Sequence, residues 1–525
     1  MADTLAKTSA HPSETQEERS HEEIMVIIVA LMLAMLLAAL DQTIVATALP
    51  RIATDLHGLN KLAWVATAYL LTSAISTPLY GKISDQFGRK KIFQFAIILF
   101  LIGSALCGQA RNMNELVAFR ALQGIGAGGL MSLSMTIVGD VVSPRQRGKY
   151  LGYFGAVFAI SSVAGPLLGG FFTDTLTWRW VFYINLPLGA IALYAIGTRL
   201  HLPVKRGNKR IDYIGAALLA ATVIPIILGT VWGGVTYPWG STTIISLFAG
   251  GIVAAIVFGL WELRAPEAIL PTHLFRNSIF TVSVLLSLLS GIALFAAILF
   301  IPEYQQIVRG YSAVKSGLLL LPLVVGMLTA LITCGRLITK WGHYRIFPII
   351  GTLVTAFGVW LFSHLTLHTT QLELSLWMIV VGLGIGMFLQ VMTLAIQNAV
   401  PRDELGVATA SATFFRSLGS SLGGAIFGAI LTNRLTYHLK QFLPHTSAIS
   451  SQASQGLASS VETGATPTFI NKLPPSISHD IYQAFVSSFH DMFLIAVPVL
   501  LVAFVVALFL REVPLRTTTK GPEVV

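Results

Sequence analysis

"GKISDQFGRKK" (residues 81–91) and "GRLITKWGHYR" (335–345) are one short cassette written twice. Gly81 and Gly88 fall on Gly335 and Gly342 at an offset of 254 residues, and Lys91 falls on Arg345. Each copy follows one apolar run and precedes another, so each reads as a tight basic turn between two apolar helices. Working outward, "AGPLLGG" (164–170) matches "LGSSLGG" (418–424) at the same offset, with Gly165, Gly169 and Gly170 on Gly419, Gly423 and Gly424. "GIGAG" (124–128) matches "GLGIG" (382–386) at an offset of 258. Single glycine matches are common in apolar helices. Three in the same order predict two related halves.

Composition says what the halves are made of. Of 525 residues, 54% are hydrophobic and 11% charged, against about 25% charged in soluble domains. Apolar windows of about 20 residues read as membrane spans. Fourteen are expected near 24–48, 62–80, 92–110, 115–138, 149–172, 178–198, 212–233, 241–262, 277–302, 317–335, 346–366, 375–398, 405–430 and 487–510. The predicted fold is an all-α membrane protein: two pseudo-symmetric six-helix bundles, with two extra helices linking them in the middle of the chain. The expected divisions are a tail (1–23), a first bundle (24–202), a linking pair (203–275), helices 9–13 (276–430), an exposed Ser/Thr/Gln-rich loop (431–486), helix 14 (487–511) and a second tail (512–525). With the N-terminus inside, most of the 34 Lys and Arg residues fall on inside connections, which predicts a multi-pass protein of the cell membrane with both termini cytoplasmic.

That distribution also excludes function classes. The net charge of +10 is spread over separate loops as a topological signal, which argues against nucleic acid as a partner. The polar, acidic N-terminus lacks a basic segment followed by a short apolar run, so no cleaved signal peptide is expected. Cys107 and Cys334 form no CxxC or Cys/His cluster and read as small buried hydrophobes, with no metal expected. There is no G-x-x-x-x-G-K-[ST] sequence, and "GIGAGG" (124–129) lies inside a helix with no preceding strand. No cofactor and no enzymatic activity are expected.

The remaining polar residues stand out against the apolar background. Ten apolar residues from Leu31 lead into Asp41, whose carboxylate is disfavoured by about 2.5–3.5 kcal/mol near a bilayer centre. Arg120 lies at a similar depth, each about 7–8 Å inside the outer boundary. A shared site for proton exchange and a fixed structural pair both fit. Glu303 follows Pro302 at the outer end of helix 9, where proline is expected to break the helix. It is a second proton-carrying candidate, or a solvated helix end. Gln42, Tyr69, Tyr304 and Gln390 are candidates to line a cavity, and Arg416, mid-helix in "TFFRSLGSSLGG", either binds an anionic group or serves a structural pair.

Two related bundles facing each other suit an alternating-access carrier with its site near the midplane. The chain resembles the major facilitator superfamily in its fourteen-span drug:proton antiporter branch. The resemblance is carried by "LDQTIVATALP" (40–50), "GKISDQFGRKK", "RALQGIGAGG" (120–129), "GPLLGG" (165–170) and "WRWVFYINLPLG" (178–189). It implies proton coupling through Arg120 with Asp41, and a cytoplasmic latch formed by Gly81, Asp85, Gly88 and Arg89. It also implies an antiporter motif in Gly165, Pro166, Gly169 and Gly170. Gln86 stands where the family usually has Arg, a departure from the full charge relay that the family pattern implies; Ser161 stands where it often has Gly. The implied function is proton-coupled export of small amphipathic molecules by a monomer among membrane lipids. Export of a native metabolite, siderophore or lipid is the nearest alternative, and a non-transporting membrane sensor a distant one.

Overall fold

The computed structural model describes residues 21–58, 61–200, 202, 211–234, 236–442, 470 and 473–515. The two tails up to residue 20 and from 516, and 443–469 of the expected loop, lie outside the described residues. All fourteen apolar windows are helical. The first half comprises α1 (His21–Asp55), α2 (Leu62–Phe87), α3 (Arg89–Gln109), α4 (Met113–Val141), α5 (Pro144–Thr175), and α6 (Trp180–Tyr183) running on into α7 (Asn185–Arg199). The linking pair is α8 (Tyr213–Trp232) and α9 (Thr242–Glu262). The second half comprises α10 (Ser278–Ile307), α11 (Ala313–Leu318) leading into α12 (Leu321–Trp341), α13 (Ile346–Phe362), α14 (Gln371–Ala399), α15 (Leu405–Phe442) and α16 (Pro475–Leu508).

Among the described residues, twelve helical segments are long and apolar enough to cross a membrane; α2 and the shorter α13, of 17 residues, are the two windows outside that set. Apolar side chains cover the outside as well as the core: along α9, Ile252, Val253, Ile256 and Leu260 are all exposed. A surface of that kind is stable against lipid and not against water.

The sequence repeat is a repeat of contacts. In the first half α4 threads between α2 and α3: a Cβ on Gly124 would meet Tyr69 of α2, and one on Gly126 would lie 2.5 Å from the Phe100 nitrogen of α3. The matching Gly382 meets Leu323 and Met327 of α12, and Gly384 meets Thr355 of α13, so α14 threads between α12 and α13 in the same way. Gly165 and Gly169 bring α5 against Thr43, Ile44 and Thr47 of α1, while Gly419 and Gly423 bring α15 against Leu288 and Ile292 of α10. The halves meet by the same rule. A Cβ on Gly81 would lie 2.5 Å from Ala410 Cβ of α15, and one on Gly335 would lie 2.5 Å from the Gly148 oxygen of α5. Thus α2–α15 and α5–α12 are equivalent crossings, each allowed by a small residue at the contact.

Three features add to or correct the expectations from sequence. First, the linking pair, central in sequence, is peripheral in space. Leu219, Val223 and Ile227 of α8 pack with Leu71, Ala74 and Ile75 of α2 and with Phe414 of α15, so the pair lies over one side of the seam. Asp212 caps α8 through the Gly215 amide at 2.8 Å and accepts from Trp261 of α9 at 2.9 Å, which ties the hairpin together. Second, α15 runs to Phe442 and α16 starts at Pro475, so both ends of the 431–486 segment are helical. Leu431, Leu435 and Leu439, spaced by four, are buried in one cluster with Ile477 and Ile481. His438 reaches Asp491 at 2.9 Å. Third, α10 passes through Pro302 to Ile307 unbroken. Proline forfeits one intrahelical bond, and buried Ile301 and Tyr304 hold the turn in place.

Candidate functional site

Both copies of the cassette lie at one end of the molecule, here the basic end, and both clamp one half onto the other. Asp85, in the last turn of α2, accepts from the amides of Gly406 (3.1 Å) and Val407 (2.9 Å) in the first turn of α15. A carboxylate there satisfies two orphan N–H groups and meets the positive end of the helix dipole. Arg89 holds Asp85 at 3.0 Å and Asp140 of α4 at 2.7 Å, and donates to the Arg402 carbonyl at 3.1 Å. Gly88, at φ +95°, makes the sharp join between α2 and α3. Gly81 sits inside α2, where it lets α15 approach.

Position 86 is not needed for this relay. Gln86 reaches Glu267 at 3.4 Å, and Lys82 pairs with the same carboxylate at 3.0 Å, so this corner is tied to the α9–α10 linker. The second cassette closes the other crossing: Arg145 of α5 donates to the carbonyls of Thr339 (3.1 Å) and Lys340 (3.4 Å). Buried Arg147 donates to the carbonyls of Val142, Gly139 and Gln397. Gln397 of α14 in turn donates to the Met135 carbonyl (3.0 Å) and to Thr409 of α15 (3.2 Å).

Asp41 and Arg120 meet directly. Asp41 is 0% and Arg120 2% exposed, and an Arg120 Nη1–Asp41 Oδ2 ion pair joins them. Arg120 also donates to Gln123 at 2.8 Å and to the Val65 carbonyl at 3.2 Å, and lies 4.2 Å over the Tyr69 ring. The second Asp41 oxygen accepts from Gln123 (2.9 Å) and Asn185 (3.2 Å), and Asn185 donates on to Ser104 at 3.0 Å. The network is enclosed by α1, α2, α3, α4 and α7, all in the first half. In this conformation it is a sealed cluster in which both Asp41 oxygens are satisfied, while the Asn185 Oδ1 is left without a partner.

The other candidates divide. Tyr69 is fully buried beneath Arg120, its hydroxyl donating to the Ala38 carbonyl at 3.1 Å, and lines no open space. Tyr304 is likewise buried, donating to the Thr366 carbonyl at 2.8 Å with its ring edge-on to Phe489. Gln42, Glu303 and Arg416 stay partly exposed, and Gln390 is buried with its Oε1 unpartnered. Gly165 and Gly169 hold α5 to α1, where Thr43 also donates to the Ser161 carbonyl at 2.8 Å; Gly170 faces open space, and Pro166 meets the α11 side of the second half near Gly317. Gln123, Asn185 and Ser104 escaped the sequence reading. Gln123 and Asn185 lie inside the stretches that carried the family resemblance, and their signal was being amides in otherwise apolar spans.

Two repeated helical bundles, sheathed in apolar surface and clamped across a common seam, are the architecture of a membrane transporter. The chain belongs to the Major Facilitator Superfamily, whose family model matches residues 31–424. It is 40% identical over 490 residues to the uncharacterized MFS-type transporter Rv1877 of Mycobacterium tuberculosis (strain ATCC 25618 / H37Rv), covering 93% of this chain and 70% of that one. It is 37% identical over 525 residues to the multidrug transporter protein MdtP of Bacillus subtilis (strain 168), covering 97% and 96%. The human organic anion transporter MFSD10 (TETRAN) superposes with a TM-score of 0.59 at 16% identity, over 91% of this chain and 99% of that one, a likeness of fold. The chain is therefore a transporter whose relatives lie among the drug efflux members of the superfamily.

Proposed function

We propose that this protein crosses the cell membrane fourteen times, with both termini cytoplasmic, and exports small amphipathic molecules as a monomer in exchange for protons. The observation that carries the reading is the double clamp at the basic end. If that end is cytoplasmic, as the charge bias indicates, Asp85 on α15 and Arg145 on α12 close the inner mouth and leave the outer mouth to open. Gly81, Asp85, Gly88 and Arg89 are then the cytoplasmic gate, and inward opening requires Asp85 to leave the α15 amides. Gln42, Gln390 and Arg416 face the path between the halves. Glu303, at the outer end of α10, meets protons arriving from outside; Asp41 exchanges its proton only in the conformation that parts it from Arg120.

Two neighbouring readings are disfavoured by particular contacts. A lipid exporter needs a side opening along one of the two crossings, and α5 packs on α12 while α8 covers α2 and α15. A sensor has no need of two symmetric clamps that shut one end. The test of coupling is proton release when a set of amphipathic dyes, cationic, neutral and anionic, is added one by one to purified protein in weakly buffered detergent solution. Release is expected; none at any pH from 5 to 8 rejects antiport.

A further inference from the structure

We infer that the exported molecule carries an anion, a carboxylate in the first instance, which seats on Arg416, with a hydrogen-bond donor beside it for Gln390. This deepens the proposed export function and rests on it.

Depth and direction bring Arg416 and Gln390 together. Arg416 is eleven residues into α15 and Gln390 nine residues before the end of α14, which places them about 16 Å and about 14 Å from the basic end at 1.5 Å per residue. Seven residues is two turns of helix and returns to nearly the same face. Two turns below Arg416 is Thr409, and two turns below Gln390 is Gln397; those two are hydrogen-bonded to each other at 3.2 Å. Arg416 and Gln390 therefore point into the same space, just above that contact. The rest of α15 agrees. Gly419 and Gly423 face α10, Gly406 and Ala410 face α2, and Phe414, Phe415 and Leu418 face α8, which leaves Arg416 on the side turned to the middle of the molecule.

The second observation is what Arg416 lacks. Four other cations placed between the halves or within the first bundle are answered: Arg120 by Asp41, Arg89 by Asp85 and Asp140, Lys82 by Glu267, Arg147 by three carbonyls. Among the described residues nothing pairs with or hydrogen-bonds to the Arg416 guanidinium. Glu303 is no partner, since it lies 25 residues into α10, about 37 Å from the same end. A guanidinium does not shed its proton, so a cation held in the interior of a membrane protein requires an anion from elsewhere. Its planar fork fits a carboxylate with two parallel bonds. Gln390 Oε1, buried and unpartnered, accepts from an N–H or O–H near that carboxylate. An amphipathic acid with an amide, sulfonamide or hydroxyl next to its carboxylate satisfies both groups.

The test uses three fluorescent probes on purified full-length protein in lipid nanodiscs: dansyl-phenylalanine (carboxylate and N–H), its methyl ester (neutral), and dansylcadaverine (cation). The wild type is expected to bind the acid at least tenfold more tightly than the ester. Arg416→Gln should remove that preference and leave ester binding as it was, Arg416→Lys should restore part of it, and Gln390→Ala should weaken the acid and ester together. Equal binding of acid and ester by the wild type overturns the inference without any variant. So does an Arg416→Gln protein, folded by its melting curve, that keeps the preference. Flux in proteoliposomes under an imposed pH gradient separates the two levels. Dansylcadaverine moving while the acid fails to bind leaves export standing and removes the anion site. Arg416-dependent binding with no probe moving does the reverse.

Discussion

Replacing Asp85 with Asn isolates the clamp. The carboxylate makes two charge-assisted bonds to the Gly406 and Val407 amides, at 3.1 and 2.9 Å. Bonds to charged groups are worth about 1.5–3 kcal/mol each, and an anion at a partly buried helix N-terminus adds up to ~2 kcal/mol. Asparagine keeps the shape and one acceptor oxygen and loses the charge, so about half of this attachment is lost, or about 2–4 kcal/mol. At 1.4 kcal/mol per factor of ten, the equilibrium between the clamped and open arrangements moves by about 30- to 700-fold. The freed amides can take water at the opened mouth, and Arg89 keeps Asp140, so the bundles themselves should stay folded. Spin labels on Phe87→Cys and Asp403→Cys, both exposed and on opposite halves, report the distance by pulsed electron resonance; Cys107 and Cys334 are buried and free and can remain. The wild type should show one short distance, and Asp85→Asn a dominant longer one with an unchanged melting temperature. An unaltered distance distribution in a folded Asp85→Asn protein would refute the claim that this carboxylate holds the halves together.

Asp41→Asn leaves Arg120 buried without its anion, a loss of about 3–5 kcal/mol. The variant should melt well below the wild type in detergent and export nothing, and adding Arg120→Gln should recover part of the melting temperature; a normal melting temperature in the single variant would contradict the pairing. At the α1–α5 contact, Gly165→Val should abolish the recovery of monodisperse protein, because even a Cβ would lie 2.6 Å from Thr43 Cβ. Gly170→Ala, five residues on with nothing within 4 Å, should be silent by the same size-exclusion measurement. If both glycines tolerate substitution, the packing reason for the motif is wrong.

What could be read from the sequence follows from what each signal encodes. Hydrophobic length marked every helix, because a lipid-facing or core helix must be apolar along its whole run. The glycine matches were legible for a related reason: close helix approach needs the absence of a side chain, and that demand recurs wherever the contact recurs. Asp41 and Arg120 were visible as charges out of place. Gln123, Asn185 and Ser104 were not, because an uncharged polar residue in a span is ordinary until its partners are known. The end of α15 was missed since Leu431, Leu435 and Leu439 sit among polar residues that read as loop. Tyr69 and Tyr304 were assigned to a cavity on residue type alone, and packing settled them otherwise. Position in space for the linking pair is not a local property at all. It depends on which seam the hairpin covers, and only the α2–α15 contact reveals that.

The two halves share a scaffold and do not share its charges. At the offset that aligns the glycines of α4 and α14, Arg120 falls on Met378, which is fully buried in the core of the second half. Residues 278–302 of α10, the stretch equivalent to the part of α1 that carries Asp41, contain no ionisable residue, so the second half holds no copy of the Asp41–Arg120 pair. In the other direction, Asp85 corresponds to Thr339 and Arg416 to Ser162. The helix crossings repeat because packing demands it, and the ionic groups differ because each half does something different with charge. The first half encloses its pair, where opposite charges cancel and leave nothing to bind a ligand. Among the described residues, the second half leaves Arg416 without a counter-charge against the seam. A transporter that must respond to a charged passenger needs that asymmetry: a passenger changes the balance between two conformations only by interacting unequally with them, and a neutralised pair offers it nothing to change.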